Sequence, residues 1–161
     1  MNLNLYNKTF LISGSSKGIG LKIAESLLNE GANTIITGRS KKLVKKQFNK
    51  LYPKYGLKVA YVNGDIKNNL VLKKIRNIVK KRWEKLDGIV ANAGSVKQNI
   101  SSFYSEKDFY WYQKNNFLTA FKFVNYFLDY MLAPFLDSFW IHFLGFLFWI
   151  PFLDSFLDSF F

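Results

Sequence analysis

The run Ser13-Gly14-Ser15-Ser16-Lys17-Gly18-Ile19-Gly20 gathers three glycines and a lysine into one short turn. Glycine lets a backbone approach a ligand closely. A turn that opens a helix also presents unpaired N–H groups, and the positive end of the helix dipole, to an anion. The chemistry on offer is phosphate binding. The spacing Gly-x-x-x-Gly-x-Gly differs from the common dinucleotide fingerprint G-x-G-x-x-G, and no Gly-Lys-Ser/Thr closes it as in a P-loop. Other reactive side chains are scarce. There is no cysteine, so disulfides, thiolate metal sites and cysteine nucleophiles are excluded. The single histidine, His142, sits among aromatics and gives no basis for a Ser-His-Asp triad or a histidine-rich metal site. What remains is Arg39 behind Gly38, Asp65, the segment Asn92-Ala93-Gly94, the pair Asn115-Asn116, and one Tyr-x-x-x-Lys from Tyr110 to Lys114.

These residues need elements to hold them. Lys8 to Ser13 reads as a buried strand running into the glycine turn, and Leu21 to Glu30 as a helix with Ile23, Ala24, Leu27 and Leu28 on one face. Gly31 stands where a left-handed C-cap belongs. Thr34-Ile35-Ile36-Thr37 is a second strand, stopped by Gly38-Arg39. Ser40 can cap a basic helix whose apolar face is Leu43/Val44, Gln47/Phe48 and Leu51, ended by Pro53 and Gly56. Leu57 to Val62 is a third strand, closed by Gly64-Asp65. The next helix carries Leu72, Ile75, Ile78/Val79 and Trp83 inward, and Leu86 to Ala91 is a fourth strand. Glu106 to about Tyr130 reads as a fourth helix, with Phe109, Tyr112, Phe117, Phe121, Val124 and Leu128 as its apolar stripe.

Alternating strands and helices imply an α/β fold: an open parallel sheet of four strands with helices on both faces. Ligands of such sheets lie beyond the carboxyl ends of the strands, where the strand order reverses. The first and fourth strands flank that point, so the turn Gly14–Gly20 and the segment Asn92–Gly94 should meet there.

The four motifs together resemble the short-chain dehydrogenase/reductase family over about residues 5–130. Ser13 to Gly20 is similar to its T-G-x-x-x-G-I-G turn, with Ser for Thr. Ala91-Asn92-Ala93-Gly94 is similar to its N-N-A-G motif, with Ala in the first place. Asp65 stands where the family sets an acid beside the adenine, and Asp108-Phe109 followed by Asn116 resembles the segment with its active-site asparagine. The resemblance implies a Rossmann-like fold and hydride transfer between a nicotinamide dinucleotide and a small carbonyl or alcohol substrate. It implies a cofactor site of Ser13, Gly14, Ser15, Ser16, Lys17, Gly18, Ile19, Gly20, Arg39, Ser40, Asp65, Ile66, Asn92, Ala93 and Gly94.

An NAD site usually carries an acid at the end of the second strand for the ribose hydroxyls. Here that place holds Gly38-Arg39, and Lys17 lies in the glycine turn on the same side. Two cations suit a 2′-phosphate, so NADP(H) is expected over NAD(H).

Of the family's catalytic residues only Asn116 carries over, with Asn115 its close rival. The family's serine and Tyr-x-x-x-Lys pair belong well after it, yet no lysine follows Lys122. Tyr110 and Lys114 precede Asn116 and are in the wrong place for that pair. Either an enzyme whose catalytic half is supplied otherwise or lost, or a non-catalytic dinucleotide-binding module, fits these residues.

The net charge is +12, and all 23 Lys and Arg lie at or before Lys122. The lysine pairs sit at helical spacing, which reads as solvated helix faces, and nucleic acid is not an expected partner. Residues after Lys122 hold four aspartates, Asp129, Asp137, Asp154 and Asp158, and most of the 17 Phe. Leu-Asp-Ser-Phe recurs at 136–139, 153–156 and 157–160. The expected division is a dinucleotide-binding unit over 1–130 and an aromatic, low-complexity tail over 131–161, with a frameshift or early stop after about Asp129 as one origin. The uncharged run 138–153 is shorter than the ~20 residues a spanning helix needs. A homo-oligomer or membrane contact through the tail is open. The N-terminus lacks a signal-peptide layout, so the cytoplasm is the default location.

Overall fold

Four parallel strands organise the residues that the computed structural model describes, 3–97 and 105–131. They are β1 (Thr9–Ile12), β2 (Asn33–Gly38), β3 (Val59–Asn63) and β4 (Gly88–Val90), in the spatial order β3-β2-β1-β4. Leu11 pairs with Ile35 on one side and Ile89 on the other, so β1 is flanked by β2 and β4, as the reversal of strand order requires. The helices α1 (Gly18–Asn29), α2 (Lys41–Tyr55) and α3 (Asn69–Arg82) connect the strands. The segments α4 (Glu106–Tyr112) and α5 (Leu118–Tyr126) follow β4.

Successive strand residues face opposite sides of the sheet. Leu11, Ile35, Ala60 and Val62 therefore pack with Leu72, Ile75 and Val79 of α3 and with Phe123 and Phe127. Ile12, Ile36 and Val59 pack on the other face with Ala24 and Leu28 of α1 and Val44 and Leu51 of α2. Burial on both faces is why β1 and β2 read as apolar runs and not as alternating patterns. At the opposite end from the glycine turn, Asp87 ties β4 to β1. It accepts the Thr9 N–H at 2.8 Å and pairs with Lys8 at 3.3 Å and Lys85 at 3.5 Å. Burial pushes its carboxyl up, but those three donors outweigh burial and hold it below the ordinary carboxylate value.

Several expected boundaries shift. α1 begins at Gly18, three residues early, so two glycines of the turn already belong to the helix. Its far end is a Schellman motif: Ala32 N–H donates to Leu27 O, Gly31 N–H to Leu28 O, and Gly31 has φ +80°. Pro53 does not end α2: its φ is helical, and despite the N–H it lacks the helix runs on to Tyr55 and stops at Gly56 with φ +56°. Leu57 is not in the third strand. It lies in a 3₁₀ turn (Gly56–Lys58), 70 % exposed.

The larger correction concerns the last helix. A π turn (Gln113–Phe117) separates α4 from α5, with Leu118 N–H donating to Gln113 O. Phe109, Phe117, Phe121 and Leu128, expected inside, are exposed, and the inward positions of α5 and its C-terminal flank are Thr119, Phe123 and Phe127. The π turn inserts one residue, which rotates everything after it by about 100° relative to an unbroken helix. Aromatics also occupy both faces, so hydropathy could not choose between them. His142 and the Leu-Asp-Ser-Phe repeats lie outside the described residues.

Candidate functional site

At the carboxyl ends of β1, β2 and β4 the turn Gly14–Gly18 forms one wall of a groove of about 650 Å³, within the ~300–1,000 Å³ usual for ligand sites. The turn is held from behind. Ser15 N–H donates to Thr37 O at 2.8 Å, the Ser15 hydroxyl donates to Ile12 O at 2.8 Å, and Thr37 N–H donates to Ser15 Oγ at 2.8 Å. Ser13 and Ser15 are buried, so their hydroxyls shape the turn and do not line the groove. Gly14 has φ +66°, and a Cβ there would stand 3.0 Å from Ala93 Cα. Gly18 has φ +58°, and a Cβ there would meet nothing within 4 Å.

The start of α1 is open at this wall. Ser40, Asn68 and Ser105 cap α2, α3 and α4 with side-chain oxygens, whereas Lys17 makes no side-chain cap for α1. The first N–H groups of a helix need partners from outside it, and among the described residues those of Gly18, Ile19 and Gly20 have no side-chain cap, with Gly18 lining the groove. Gly20 itself is buried: a Cβ there would lie 2.5 Å from Asn92 Nδ2 and 2.7 Å from Gly14 O. Ile19 is 75 % exposed and borders a separate apolar groove along α1.

Asn92-Ala93-Gly94 closes the groove from β4. Asn92 Nδ2 donates to Ser13 O at 3.0 Å and Gly14 O at 3.2 Å, and Ala93 N–H donates to Ser13 Oγ at 2.9 Å. The two segments meet where the strand order reverses, as expected. Lys17, Arg39 and Ser40 line the groove near the end of β2, with Asp65 and Ile66 after β3. Asp65 Oδ1 accepts the Lys67 N–H at 2.9 Å, so this carboxylate also shapes its own turn. Gly64 N–H donates to Gly38 O at 3.0 Å, which joins the loops after β2 and β3.

The π turn carries both asparagines. The Asn116 amide accepts from Ser95 N–H at 2.8 Å and donates to Ser95 O at 3.1 Å, which fastens the loop after Gly94. Asn115 is the one that lines the groove. It donates to Trp111 O at 2.8 Å and accepts from Lys67 Nζ at 2.8 Å. Sequence reasoning did not single out Lys67, Trp111 or Thr119 in this wall. Only the break in helical period marks Trp111 and Thr119, and a π turn has no residue signature; Lys67 is brought in by the loop after β3. Tyr110 is 59 % exposed, and neither it nor Lys114 lines the groove.

Two residues beyond Ser95, the Lys97 ammonium pairs with Asp108 beside the capping box of Ser105, and the Lys97 N–H donates to the Tyr112 hydroxyl at 3.2 Å. Bonds from Lys97 and then Ser105 lower the Asp108 carboxyl to about 2. A depressed carboxylate stabilises the fold above its unfolded pKa, and that support is lost as pH falls through the folded value. In a carbon-13 carboxyl titration Asp108 is expected to turn over at about 2. Lys97→Met should bring it up toward the ordinary ~3.9. An unmoved midpoint would mean the ion pair is not what lowers it.

No cluster of three metal-ligating side chains occurs among the described residues, and none of their helices is long and apolar enough to cross a membrane.

The family profile for short chain dehydrogenase matches residues 8–135. An uncharacterized oxidoreductase of Saccharomyces cerevisiae is 39 % identical over 98 residues, 58 % of this chain and 37 % of the relative. A 3-oxoacyl-[acyl-carrier-protein] reductase of Aquifex aeolicus is 33 % identical over 104 residues, 62 % of this chain and 40 % of the relative. Among solved structures, L-sorbose reductase of Gluconobacter frateurii, complexed with NADPH and L-sorbose, superposes with a TM-score of 0.70 at 25 % identity, covering 83 % of this chain and 51 % of that one. The chain thus spans about half or less of the length of these relatives. Its sheet order, its open glycine turn and the match over 8–135 agree, and the chain belongs to the short-chain dehydrogenase family.

Proposed function

We propose that this chain binds NADP(H) in the groove between the glycine turn and Asn92–Gly94, as the dinucleotide-binding part of an oxidoreductase acting on a small carbonyl or alcohol. The observation that carries the reading is that Lys17 of the glycine turn and Arg39 after β2 line the same groove, where Gly38 supplies no side chain to meet a ribose hydroxyl. The uncapped N–H groups of Gly18, Ile19 and Gly20 suit the pyrophosphate, and Gly14 and Gly18 let it approach the backbone. Asp65 and Ile66 would border the adenine, and Ala93 and Gly94 its other side. The bound dinucleotide supplies hydride chemistry at its nicotinamide. Asn116 would act by fixing the Ser95 loop beside that ring, since its amide is committed to Ser95. Asn115 and Trp111 would form the substrate-side wall.

A second reading is a dinucleotide-binding module without turnover. The family match over residues 8–135 takes in the glycine turn and Asn92–Gly94, the parts suited to hold a dinucleotide, and it favours that reading. Positioned acid–base catalysis contributes about 10²–10⁴-fold, so binding can persist where turnover is nearly lost. NADPH fluorescence titration, alongside consumption of NADPH with a panel of ketones, separates the two. Binding with turnover supports the enzyme, binding alone supports the module, and no binding sinks both. A cytoplasmic location, and self-association or membrane contact through residues 131–161, belong to the same reading and are tested by fractionation and by sedimentation.

A further inference from the structure

Gly38 has an ordinary backbone conformation, so nothing in its φ requires glycine. Space does. A Cβ at position 38 would stand 2.6 Å from Ser16 Oγ, 2.9 Å from Ser16 Cβ and 3.0 Å from Val44 Cγ2. The Ser16 hydroxyl can rotate about χ1, but Ser16 Cβ and Val44 do not yield easily. Val44 is fully buried in the α2 face of the core. Ser16 is 8 % exposed and follows Ser15, which is bonded to β2 on both its backbone and its hydroxyl. Relieving the contact would mean moving the glycine turn itself.

We infer that Ser16 is a steric specificity residue: its side chain fills the space that any side chain at position 38 would need, and so keeps a carboxylate away from the ribose end of the groove. This rests on the assignment of NADP(H) to the groove and adds the device that sustains it. Lys17 and Arg39 attract a 2′-phosphate, and the Ser16–Gly38 contact bars the acidic residue that would repel it and bind a 2′-hydroxyl instead. Attraction and exclusion are separate parts of specificity. The two parts sit on neighbouring residues of one turn.

The contact predicts coupling between positions 16 and 38. Dissociation constants for NADPH and NADH would be measured by fluorescence on wild type, Ser16→Gly, Gly38→Asp and the double variant, with the unfolding temperature of each. Gly38→Asp alone should weaken both dinucleotides and lower the unfolding temperature. The double variant should bind NADH about ten-fold or more tighter than Gly38→Asp does, as interacting neighbours are non-additive. Equal NADH affinity in Gly38→Asp with and without Ser16→Gly would overturn the inference. Should the aspartate variants not fold, Gly38→Ala carries only the added Cβ: lowered unfolding temperature with recovery by Ser16→Gly supports the contact, and an unchanged temperature overturns it. Wild type that binds NADH as tightly as NADPH would instead overturn the NADP(H) assignment, whatever the coupling.

Discussion

Replacing Lys17 and Arg39 together by Ala is expected to weaken NADPH binding about a hundred-fold while NADH binding falls no more than about three-fold. Both side chains are exposed at the rim of the groove. Each charge-assisted bond to a 2′-phosphate is then worth the low end of the usual range, about 1.5 kcal/mol, or one decade in affinity. NADH lacks that phosphate, and loses only the diffuse attraction of two cations to its pyrophosphate. Because the two cations would meet one phosphate, their losses need not add, and the single variants bracket the coupling. Raising ionic strength from 0.05 to 0.5 M should narrow the wild-type preference, since exposed charges are screened. Equal losses for both dinucleotides in the double variant would remove the basis for the NADP(H) assignment and leave a generic phosphate turn.

Lys17, Arg39 and the glycines beside them are legible in the sequence. Gly14 and Gly18 were marked by their place between an apolar run and a helical one, and the structure gives each a positive φ at the groove. Asn92–Gly94 was paired with that turn through the rule for parallel sheets, and Asn92 is bonded to Ser13 O and Gly14 O. The parallel sheet was legible because strand-like and helix-like runs alternate, and β1 and β2 are buried on both faces, as such a sheet requires.

What escaped was set by long-range geometry. Ser13 and Ser15 belong to the cofactor site that the resemblance implies, yet both hydroxyls are turned inward, because a buried turn must satisfy its own backbone first. The crowding of Gly38 by Ser16 joins residues that a full helix separates, and no local pattern reports it. The π turn was invisible for another reason. Gln113-Lys114-Asn115-Asn116-Phe117 has ordinary helical composition. The extra residue is stabilised by contacts around it: Asn115 to Trp111 and Lys67, Asn116 to Ser95, and the Thr119 hydroxyl to Lys114 O. That irregularity sets both the asparagine positions at the groove and the phase of α5 behind it.

The phase of α5 carries the second large expectation. Phe123 and Phe127 are 1 % and 0 % exposed, with ring centroids 5.6 Å apart in an edge-to-face arrangement. They cover the same sheet face as Leu11, Ile35 and the α3 residues Leu72, Ile75 and Val79. Truncating a buried Phe typically costs 3–5 kcal/mol, about 3–5 here for Phe123→Ala and for Phe127→Ala. Against a domain stability of about 5–15 kcal/mol, either change removes a large share. Phe117→Ala and Phe121→Ala remove rings that are 63 % and 47 % exposed and should cost less than about 1 kcal/mol in the same urea titration. The contrast is sharp because the hydropathy pattern of the sequence puts Phe117 and Phe121 on the inward stripe, whereas the structure buries Phe123 and Phe127. Losses at Phe117 and Phe121 that match those at Phe123 and Phe127 would show that α5 is rotated from the position described. They would also remove the support for Asn116 at Ser95, because the helical turn that exposes Phe117 is the one that holds that amide.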